Sequence, residues 1–419
     1  MSFFWRFVPS HDLLRIPLLR WLVITRFFGD LFFYSTTLVL FQQQRGLNFT
    51  EMFFMEAILS SSILLADVPT SIWAERIGYS KMILIGRTIG LAGMCFFVSA
   101  HGFWMFALAE ILGGIAIAST SGCESALIYA PLSPQQRNSQ GSDAFALLSS
   151  ASSAGFFLGL LTGSFLGAYS PTLAVAASLL PALLAFFSSL RVHHYDSAAT
   201  AQEQKEMARI NQVVRIAWNT VCTQPTLALL SLFRWVAFAI TNAIFWYNQP
   251  YFQKAGIPIA FFGPLMAAAM GLQLLLVLRT TTFQKILGTR FSLMCSCLVP
   301  GLCYMLLTWL HTPLLTIVLV AGVVCFSAWQ QPIVEQELNR RISDGSRATT
   351  LSALSLIGML GKSVLDPVIG HLGDVGLDMV SMGLGGMLLL LSIVALFLIP
   401  QSKKHTPLPP DQATSIDKT

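Results

Sequence analysis

The stretch DVPTSIWAERIGYSK, residues 67–81, joins two apolar runs near 50–73 and 81–100. Its charged residues are Asp67, Glu75, Arg76 and Lys81. Between them, Gly78 permits a tight turn without a Cβ clash. Each flanking run has the length, about 20 residues, that a helix needs to cross the ~30 Å hydrocarbon core of a bilayer. We therefore interpret the stretch as a polar turn between two membrane-spanning helices.

The same alternation of apolar runs and short charged clusters extends along the whole chain. Of its 419 residues, 54% are hydrophobic and 11% are charged, whereas a soluble domain carries roughly 25% charged residues. This composition excludes a soluble enzyme and predicts an all-α membrane protein with twelve transmembrane helices. The predicted spans lie near residues 18–41, 50–73, 81–100, 104–128, 143–168, 172–190, 226–247, 259–283, 289–310, 313–336, 349–371 and 378–399.

Lysine and arginine are distributed unevenly between the two sides of the membrane. With the N-terminus inside, 19 of them lie in the inner segments, whereas the outer loops hold only Arg45 and Lys254. Because cytoplasmic loops collect basic residues, this bias predicts that both termini are cytoplasmic. The first apolar run lacks the short core and cleavage site of a removable signal peptide, so we expect it to remain as the first span.

The longest polar stretch divides the chain into two parts. We predict an N-terminal six-helix half at residues 1–190, a cytoplasmic linker at 191–225, a C-terminal six-helix half at 226–400 and a cytoplasmic tail at 401–419. In the later part of the linker, apolar residues recur at helical spacing beside basic residues, which suits a helix lying on the inner leaflet. A solvated linker helix is the alternative.

The two halves carry matching residues. Gly78 after span two corresponds to Gly288 after span eight at an offset of 210, and Arg26 in span one corresponds to Arg234 in span seven at an offset of 208. These matches fall at equivalent places in successive loops and spans. Two parallel repeats about an axis normal to the membrane are the arrangement of one large class of secondary transporters.

The loop after span two resembles a known family motif. In the signature loop of the major facilitator superfamily, a small residue is followed four positions later by an acid, a base and then a glycine. The corresponding residues here are Ser71, Glu75, Arg76 and Gly78. The segments HLGDVG after span eleven and SGCESALIY at the end of span four are similar to segments common in bacterial members. The resemblance implies a multi-pass transporter of the bacterial inner membrane, with its twelve helices in two pseudo-symmetric six-helix halves.

The resemblance also implies a role for this loop. In the family, the acid and the base pair across the cytoplasmic gap between the halves and stabilise the outward-facing state, so Glu75, Arg76 and Gly78 are predicted to form a cytoplasmic gate. Asp67 and Glu124, near the cytoplasmic ends of spans two and four, are predicted to join this network. The alternative is that these charges are solvated at the membrane surface, where an ion pair contributes only ~0–1 kcal/mol.

Charged residues inside predicted spans are candidate functional residues, because each costs about 2.5–3.5 kcal/mol on insertion scales. Arg26 and Asp30 are four residues apart in span one, so they share a helix face and can form an ion pair. In the family the first and seventh helices line the central cavity. A cavity with aromatic walls and a few charges suits an amphiphilic organic molecule. The candidates for the substrate cavity are Arg26, Phe33, Tyr34, Arg234, Trp235, Asn242, Trp246 and Lys362. For individual aromatic residues, a lipid-facing or packing role is the alternative.

Four acidic residues inside spans are candidates for proton coupling, namely Asp30, Glu56, Glu110 and Asp366. Glu56 and Glu110 lie ~10 Å from the outer ends of spans two and four by helical rise, and neither has a basic neighbour in the sequence. An unpaired buried carboxylate takes up a proton because a low dielectric disfavours its charged form. A static, hydrogen-bonded role is the alternative.

The segment GMLGKSVLDP, residues 358–367, superficially resembles a phosphate-binding loop. Such a loop needs a glycine five residues before its Gly-Lys pair, and Leu356 occupies that position. Lys362 lies instead within span eleven, with Asp366 one turn further along the same helix face. The pair is predicted either to be a static neutral pair or to be broken alternately by substrate or proton binding.

Span five contains a strip of small residues. In AGFFLGLLTGSFLGAY, Gly155, Gly159, Gly163 and Gly167 recur every four residues, which predicts close helix packing. Antiporters of the superfamily carry a Gly-Pro step in this region, where Ser164 stands in this chain. The basic residue that drug exporters often have in span four is also missing, so a function other than antiport stays open.

These features favour one function on this fold. We expect a secondary transporter that exports a small organic molecule in exchange for protons by alternating access. The alternative is an uptake symporter or uniporter for an anionic or zwitterionic solute, which Arg26, Arg234 and Lys362 would attract. An enzyme is not expected, since the sequence shows no metal cluster and its serine-rich spans have no histidine nearby to act as a base. We predict a monomer in the lipid bilayer that binds a small-molecule substrate and protons, without a cofactor, a metal or nucleic acid.

Overall fold

The computed structural model describes residues 13–196, 225–342 and 347–398 of the 419-residue chain. The predicted tail and most of the predicted linker, including its surface helix, lie outside the described residues. The first six residues of the predicted linker continue the helix of span six, which ends at Asp196.

The described residues form helices and connecting turns, with no strand among them. The helices make up twelve consecutive spans, five of which are broken into two helices, so the predicted all-α, twelve-helix fold is confirmed. The bounds are Pro17–Gly29 and Leu38–Gln44 for span one, Phe49–Ile77 for two, Tyr79–Ser99 for three, Gly102–Leu127 for four, Pro134–Tyr169 for five, Pro171–Ala177 and Leu179–Asp196 for six, Pro225–Asn242 and Ile244–Lys254 for seven, Phe262–Leu278 and Thr280–Leu287 for eight, Thr289–Leu307 for nine, Pro313–Ser327 and Gln330–Arg341 for ten, Arg347–Val375 for eleven, and Leu377–Leu398 for twelve.

Capping residues and glycine turns set where several helices begin. Asn48 caps span two: its side-chain oxygen accepts the Glu51 N–H at 2.8 Å, and its own N–H donates to the Glu51 carboxylate at 3.0 Å. This reciprocal pair satisfies two backbone groups that the first turn of a helix leaves free. Gly78 and Gly288 precede spans three and nine with φ of 98° and 80°, a region that favours glycine. The glycine match between the halves therefore reflects the same turn at equivalent places.

The spans pack in the same pairs in both parts of the chain. We call spans one to six the N-terminal group and spans seven to twelve the C-terminal group. In the first group, span four packs on spans two and three, and span one packs on span five; in the second, span ten packs on spans eight and nine, and span seven packs on span eleven. The groups meet along spans two and eleven and along spans five and eight. These equivalent contacts agree with two parallel repeats.

The outer surface is that of a membrane protein. Ten helical stretches within the described residues are long and apolar enough to cross a membrane. The other two spans are span one, which is broken, and span eleven, which carries Lys362, Asp366 and Asp374. Apolar side chains such as Leu274 and Phe397 are 59% and 77% exposed, which is characteristic of helices that face lipid. The protein is therefore a multi-pass membrane protein.

The two groups are joined at one end of the bundle. We call the end that holds the turns at Gly78 and Gly288 the basic end, and the other the opposite end. Among the described residues, every hydrogen bond and ion pair between the groups lies in the part of the bundle nearer the opposite end. The structure is thus a conformation closed at the opposite end.

Candidate functional site

Span one is interrupted near its middle, and the glycine strip of span five packs against the break. Residues 30–37 separate the two helices of span one. A Cβ at Gly159 would lie 2.6 Å from the carbonyl oxygen of Phe32, and a Cβ at Gly163 would collide with the carbonyl of Phe33. The N–H of Phe33 donates to the Ser178 hydroxyl at 3.0 Å. The predicted close packing is confirmed, and it covers the non-helical backbone of Phe32 and Phe33 with protein.

A partly buried charge network connects spans one, three, four and five. The Arg26 guanidinium bonds Asp30 at 2.8 Å and Glu124 at 2.9 Å. Arg87 of span three bonds the other oxygen of Glu124 at 2.8 Å. Ser152 of span five donates to Asp30 and accepts from Arg26 at 3.3 Å. The expected Arg26–Asp30 pair is therefore present, but it is part of a network that neutralises Glu124 with two arginines.

An arginine–glutamate pair occupies the corresponding place in the C-terminal group. Arg234 of span seven bonds Glu335 of span ten at 3.1 Å. Glu335 follows Glu124 by 211 residues, close to the offset of 208 that relates Arg26 to Arg234. The Glu335 side chain is 43% exposed, whereas that of Glu124 is 2% exposed. The repeat thus places a comparable charge pair in each group, and the C-terminal pair has the accessible carboxylate.

Lys362 lies between two carboxylates where the groups meet. Its ammonium bonds Asp366 on its own helix at 2.7 Å and Glu56 of span two at 3.3 Å. Glu110 of span four interacts electrostatically with Glu56 and Tyr34, but it forms no hydrogen bond or ion pair with the residues that the structure describes. The Lys362–Asp366 pair is present, and Glu56 is paired rather than isolated. The sequence did not reveal this partner because it lies 306 residues away.

A cavity of about 190 Å³ lies where the breaks of spans one and seven approach each other. The lining residues are Tyr34, Ser35, Thr36, Leu38, Val39, Phe156 and Leu160 from the N-terminal group, and Phe245, Trp246, Asn248, Gln249 and Met266 from the C-terminal group. None of them is charged, and two of them, Tyr34 and Trp246, were predicted cavity residues. A larger hollow of about 470 Å³ lies between spans one and five, but its walls belong to one group and are almost wholly apolar. A molecule in the smaller cavity would contact both groups.

The other predicted cavity residues lie outside this lining. Trp235 packs against Gly358 of span eleven, and the Arg234 guanidinium lies over the Trp235 ring, 5.2 Å from its centroid. Asn242 ends the first helix of span seven. Phe33 contributes its backbone to the contact with the glycine strip.

The residues predicted to form a cytoplasmic gate do not come together in this conformation. Asp67, Glu75 and Arg76 are exposed, and none of them forms an ion pair within the described part of the chain. Glu124 does not accompany them, because its carboxylate is directed into the N-terminal group toward Arg26. Gly78 adopts the predicted turn. At the basic end, the described residues of the two groups form no hydrogen bond or ion pair with each other, so the gate remains a prediction for the other conformation.

Two residues that join the groups at the opposite end were missed in the sequence. The Asp374 carboxylate accepts the N–H groups of Phe49 and Thr50 at 2.7 and 3.0 Å, at the N-terminus of span two. Gln249 accepts the Val39 N–H at 3.1 Å at the start of the second helix of span one. Helix N-termini favour such acceptors because their first N–H groups lack partners within the helix. The only sequence signal for these contacts was the aspartate of the segment HLGDVG, and no specific role was predicted for it.

The described ranges contain neither a disulfide nor a cluster of metal ligands. Six cysteines there are free, and the seventh, Cys222, lies outside the described residues. Within those ranges, no group of three or more His, Cys, Asp or Glu side chains is placed to hold a metal ion.

Comparison with known proteins identifies relatives in sequence and structure. The family model of the Major Facilitator Superfamily matches residues 20–364. Quinolone resistance protein NorA of Staphylococcus aureus is 22% identical over 219 residues, which are 52% of this chain and 55% of NorA. The chain thus spans about half the length of the curated relatives it matches.

Several solved structures share the fold. The nucleoside transporter NupG superposes with a TM-score of 0.76 at 14% identity, covering 94% of this chain and 100% of NupG. A POT family transporter in complex with 5-aminolevulinic acid gives 0.67 at 13% identity, covering 90% and 95%. A bacterial homologue of the human lysosomal transporter Spinster, in an inward-facing conformation, gives 0.65 at 14% identity, covering 93% and 96%. With the family model matching most of the sequence and the fold matching along almost the whole chain, the protein is a transporter of the major facilitator superfamily.

Proposed function

We propose that this protein exports a small organic molecule in exchange for protons by alternating access. The observation that carries the proposal is the interface cluster, defined as Glu56, Glu110, Lys362 and Asp366. The Lys362 ammonium bonds Glu56 of the N-terminal group and Asp366 of the C-terminal group, and Glu110 interacts electrostatically with Glu56. The cluster contains three acidic residues and one basic residue, so it has more carboxylates than cations and a carboxylate is available to bind a proton. It also lies where the two groups separate when the opposite end opens.

The geometry couples proton binding to opening. The bond between Lys362 and Glu56 joins different groups, so it exists only while the opposite end is closed. When that end opens, Glu56 is left beside Glu110 without its cationic partner. Loss of a cation and proximity of a like charge both favour the protonated form of a carboxyl group. Reclosure brings Lys362 back and favours release of the proton.

The direction follows from the predicted orientation. If the basic end is cytoplasmic, the cluster takes up a proton from outside and releases it after the conformational change that exposes the inside. The substrate then moves outward. The sequence similarity to a quinolone resistance protein supports export. The proposal includes a monomer in the bacterial inner membrane, with both termini cytoplasmic and no cofactor.

The alternative is uptake of an anionic or zwitterionic solute, and an anionic solute needs an available cation. Arg26, Arg234 and Lys362 are each bonded to at least one carboxylate, so this feature favours a substrate without a strong negative charge. Deletion of the gene separates the two functions: export predicts sensitivity to a compound, whereas uptake predicts loss of growth on a solute.

Proteoliposomes test the proton coupling. A pH gradient is imposed, and uptake of radiolabelled quinolones and nucleosides is measured for the wild type. We expect gradient-driven accumulation of at least one compound, and we expect Glu56→Gln and Glu110→Gln to abolish it while compound exchange without a gradient persists. Asp378→Asn is the matched control, because this carboxylate bonds Lys254 within the C-terminal group at 2.8 Å. Full gradient-driven transport in both glutamine variants would contradict the proposal.

A further inference from the structure

We propose that the basic end of the N-terminal group binds the phosphodiester headgroup of an anionic phospholipid at Arg20, Trp21 and Arg191, which we call the headgroup site. Arg20 and Trp21 belong to span one, and Arg191 belongs to span six. The inference concerns the membrane leaflet at this end, and it does not depend on the direction or the coupling of transport.

Two guanidinium groups from different spans lie against one indole ring. The guanidinium carbons of Arg20 and Arg191 are each 6.0 Å from the centroid of the Trp21 ring. Because the face of an indole ring attracts cations, Trp21 gathers two positive charges in one place. The helices that carry them are packed together, and Leu22 and Val192, which follow Trp21 and Arg191 in the sequence, are buried in one apolar cluster. The site therefore has a firm base.

The two arginines lack a counter-ion in the part of the chain that the structure describes. Both are exposed, and neither side chain forms an ion pair or a hydrogen bond with a described residue. By contrast, Arg26 and Arg87 both bond the Glu124 carboxylate. Two like charges held near each other repel, and an anion between them removes the repulsion. Guanidinium groups bind phosphate through parallel N–H groups, so a phosphodiester is an anion that fits.

Span six continues the headgroup site with a surface for acyl chains. Leu183, Phe187 and Leu190 are 38%, 57% and 40% exposed. Their spacing of four and three residues places them on one face of the helix Leu179–Asp196, and Arg191 follows on that side at the basic end. An apolar face that ends in a basic residue matches the two parts of a phospholipid, and basic pockets between membrane-spanning helices bind anionic headgroups. This surface favours a membrane lipid over free phosphate.

Native mass spectrometry of the full-length protein in detergent measures the binding of the first lipid. Phosphatidylglycerol is the probe, and phosphatidylcholine with the same acyl chains is the comparison lipid, because its choline neutralises the headgroup. We expect the wild type to bind phosphatidylglycerol several-fold more tightly. A basic residue near an anionic lipid contributes about a factor of five, so Arg20→Gln and Arg191→Gln should each weaken phosphatidylglycerol binding about fivefold. Arg191→Lys should weaken it about twofold, because the charge remains and the planar fork is lost.

Arg279→Gln is the matched control. Arg279 is an exposed arginine at the basic end of the C-terminal group, so this variant removes the same charge from the same end of the protein and should bind phosphatidylglycerol as the wild type does. Equal binding of the two lipids by the wild type would overturn the inference. So would an equal loss in Arg279→Gln and Arg191→Gln, which would show that net charge alone attracts the lipid. Displacement of phosphatidylglycerol by excess inorganic phosphate would also overturn it, because the site would then bind free anions rather than a lipid.

Discussion

Replacing Glu56 by Gln is expected to favour opening of the opposite end. The substitution removes the ion pair that joins the groups and preserves the Lys362–Asp366 bond within span eleven. At 3.3 Å, two unit charges interact by about 5 kcal/mol at an effective dielectric constant of ~20. Since the pair is largely buried, desolvation offsets most of this energy, and we expect a net loss of about 1–2 kcal/mol. The ratio of closed to open molecules then falls by about 5- to 30-fold.

Spin labels across the opposite end measure this ratio. Gln44 and Gln253 are exposed and belong to different groups. Gln44 is the last residue of the second helix of span one, and Gln253 is the residue before the last in the second helix of span seven. In a background without the native cysteines, electron paramagnetic resonance distances between labels at these positions report the closed and open populations. We expect the long-distance population to increase in Glu56→Gln at the expense of the short-distance one.

The control is Asp378→Asn, which removes a carboxylate at the same end whose partner, Lys254, belongs to the same group. This variant should leave the distance distribution unchanged. If Glu56→Gln also leaves it unchanged, the ion pair does not stabilise the closed conformation and the coupling argument fails.

Further predictions concern packing, the charge pairs and the gate. Gly163→Ala should lower folding stability by about 1–3 kcal/mol through overpacking, measured by thermal unfolding, whereas Gly122→Ala, where a Cβ meets nothing within 4 Å, should not. Glu124→Gln should lower the unfolding temperature far more than Glu335→Gln. Loss of Glu124, the buried carboxylate that pairs with two arginines, costs about 3–5 kcal/mol. Loss of the half-exposed Glu335 carboxylate costs ~0–1 kcal/mol. Glu75→Gln should weaken closure of the basic end and so favour closure of the opposite end. In the spin-label measurement the short-distance population should therefore increase, whereas Glu56→Gln should decrease it.

The sequence predicted the fold because its signals were local. Apolar runs and glycine turns each depend on neighbours in the chain, and they predicted twelve helices and the repeat. Span one shows the limit, because its apolar pattern continues across residues 30–37, where the helix is broken. The break depends on contacts with Gly159 and Gly163 of another span, which hydropathy does not reveal.

The sequence indicated individual residues of the candidate site, but it did not predict most of the contacts between them. Lys362 and Asp366 were paired correctly because they are one helical turn apart. Glu56 was not assigned to Lys362, since only the packing of span two on span eleven brings them together. Glu335 was overlooked because it lies in the polar second helix of span ten, although its offset from Glu124 was visible.

Span two carries two acidic residues with opposite expected effects on the conformational equilibrium. Glu56 and Glu75 are 19 residues apart in the uninterrupted helix Phe49–Ile77, a distance of ~28 Å by helical rise. Glu56 stabilises closure of the opposite end through Lys362, whereas the family resemblance implies that Glu75 stabilises closure of the basic end. Residues so far apart, without shared partners, should have additive effects on the equilibrium. A Glu56→Gln, Glu75→Gln double variant should therefore return part of the way toward the wild-type distance distribution, and a double variant no different from Glu56→Gln would show that Glu75 has no part in the gate.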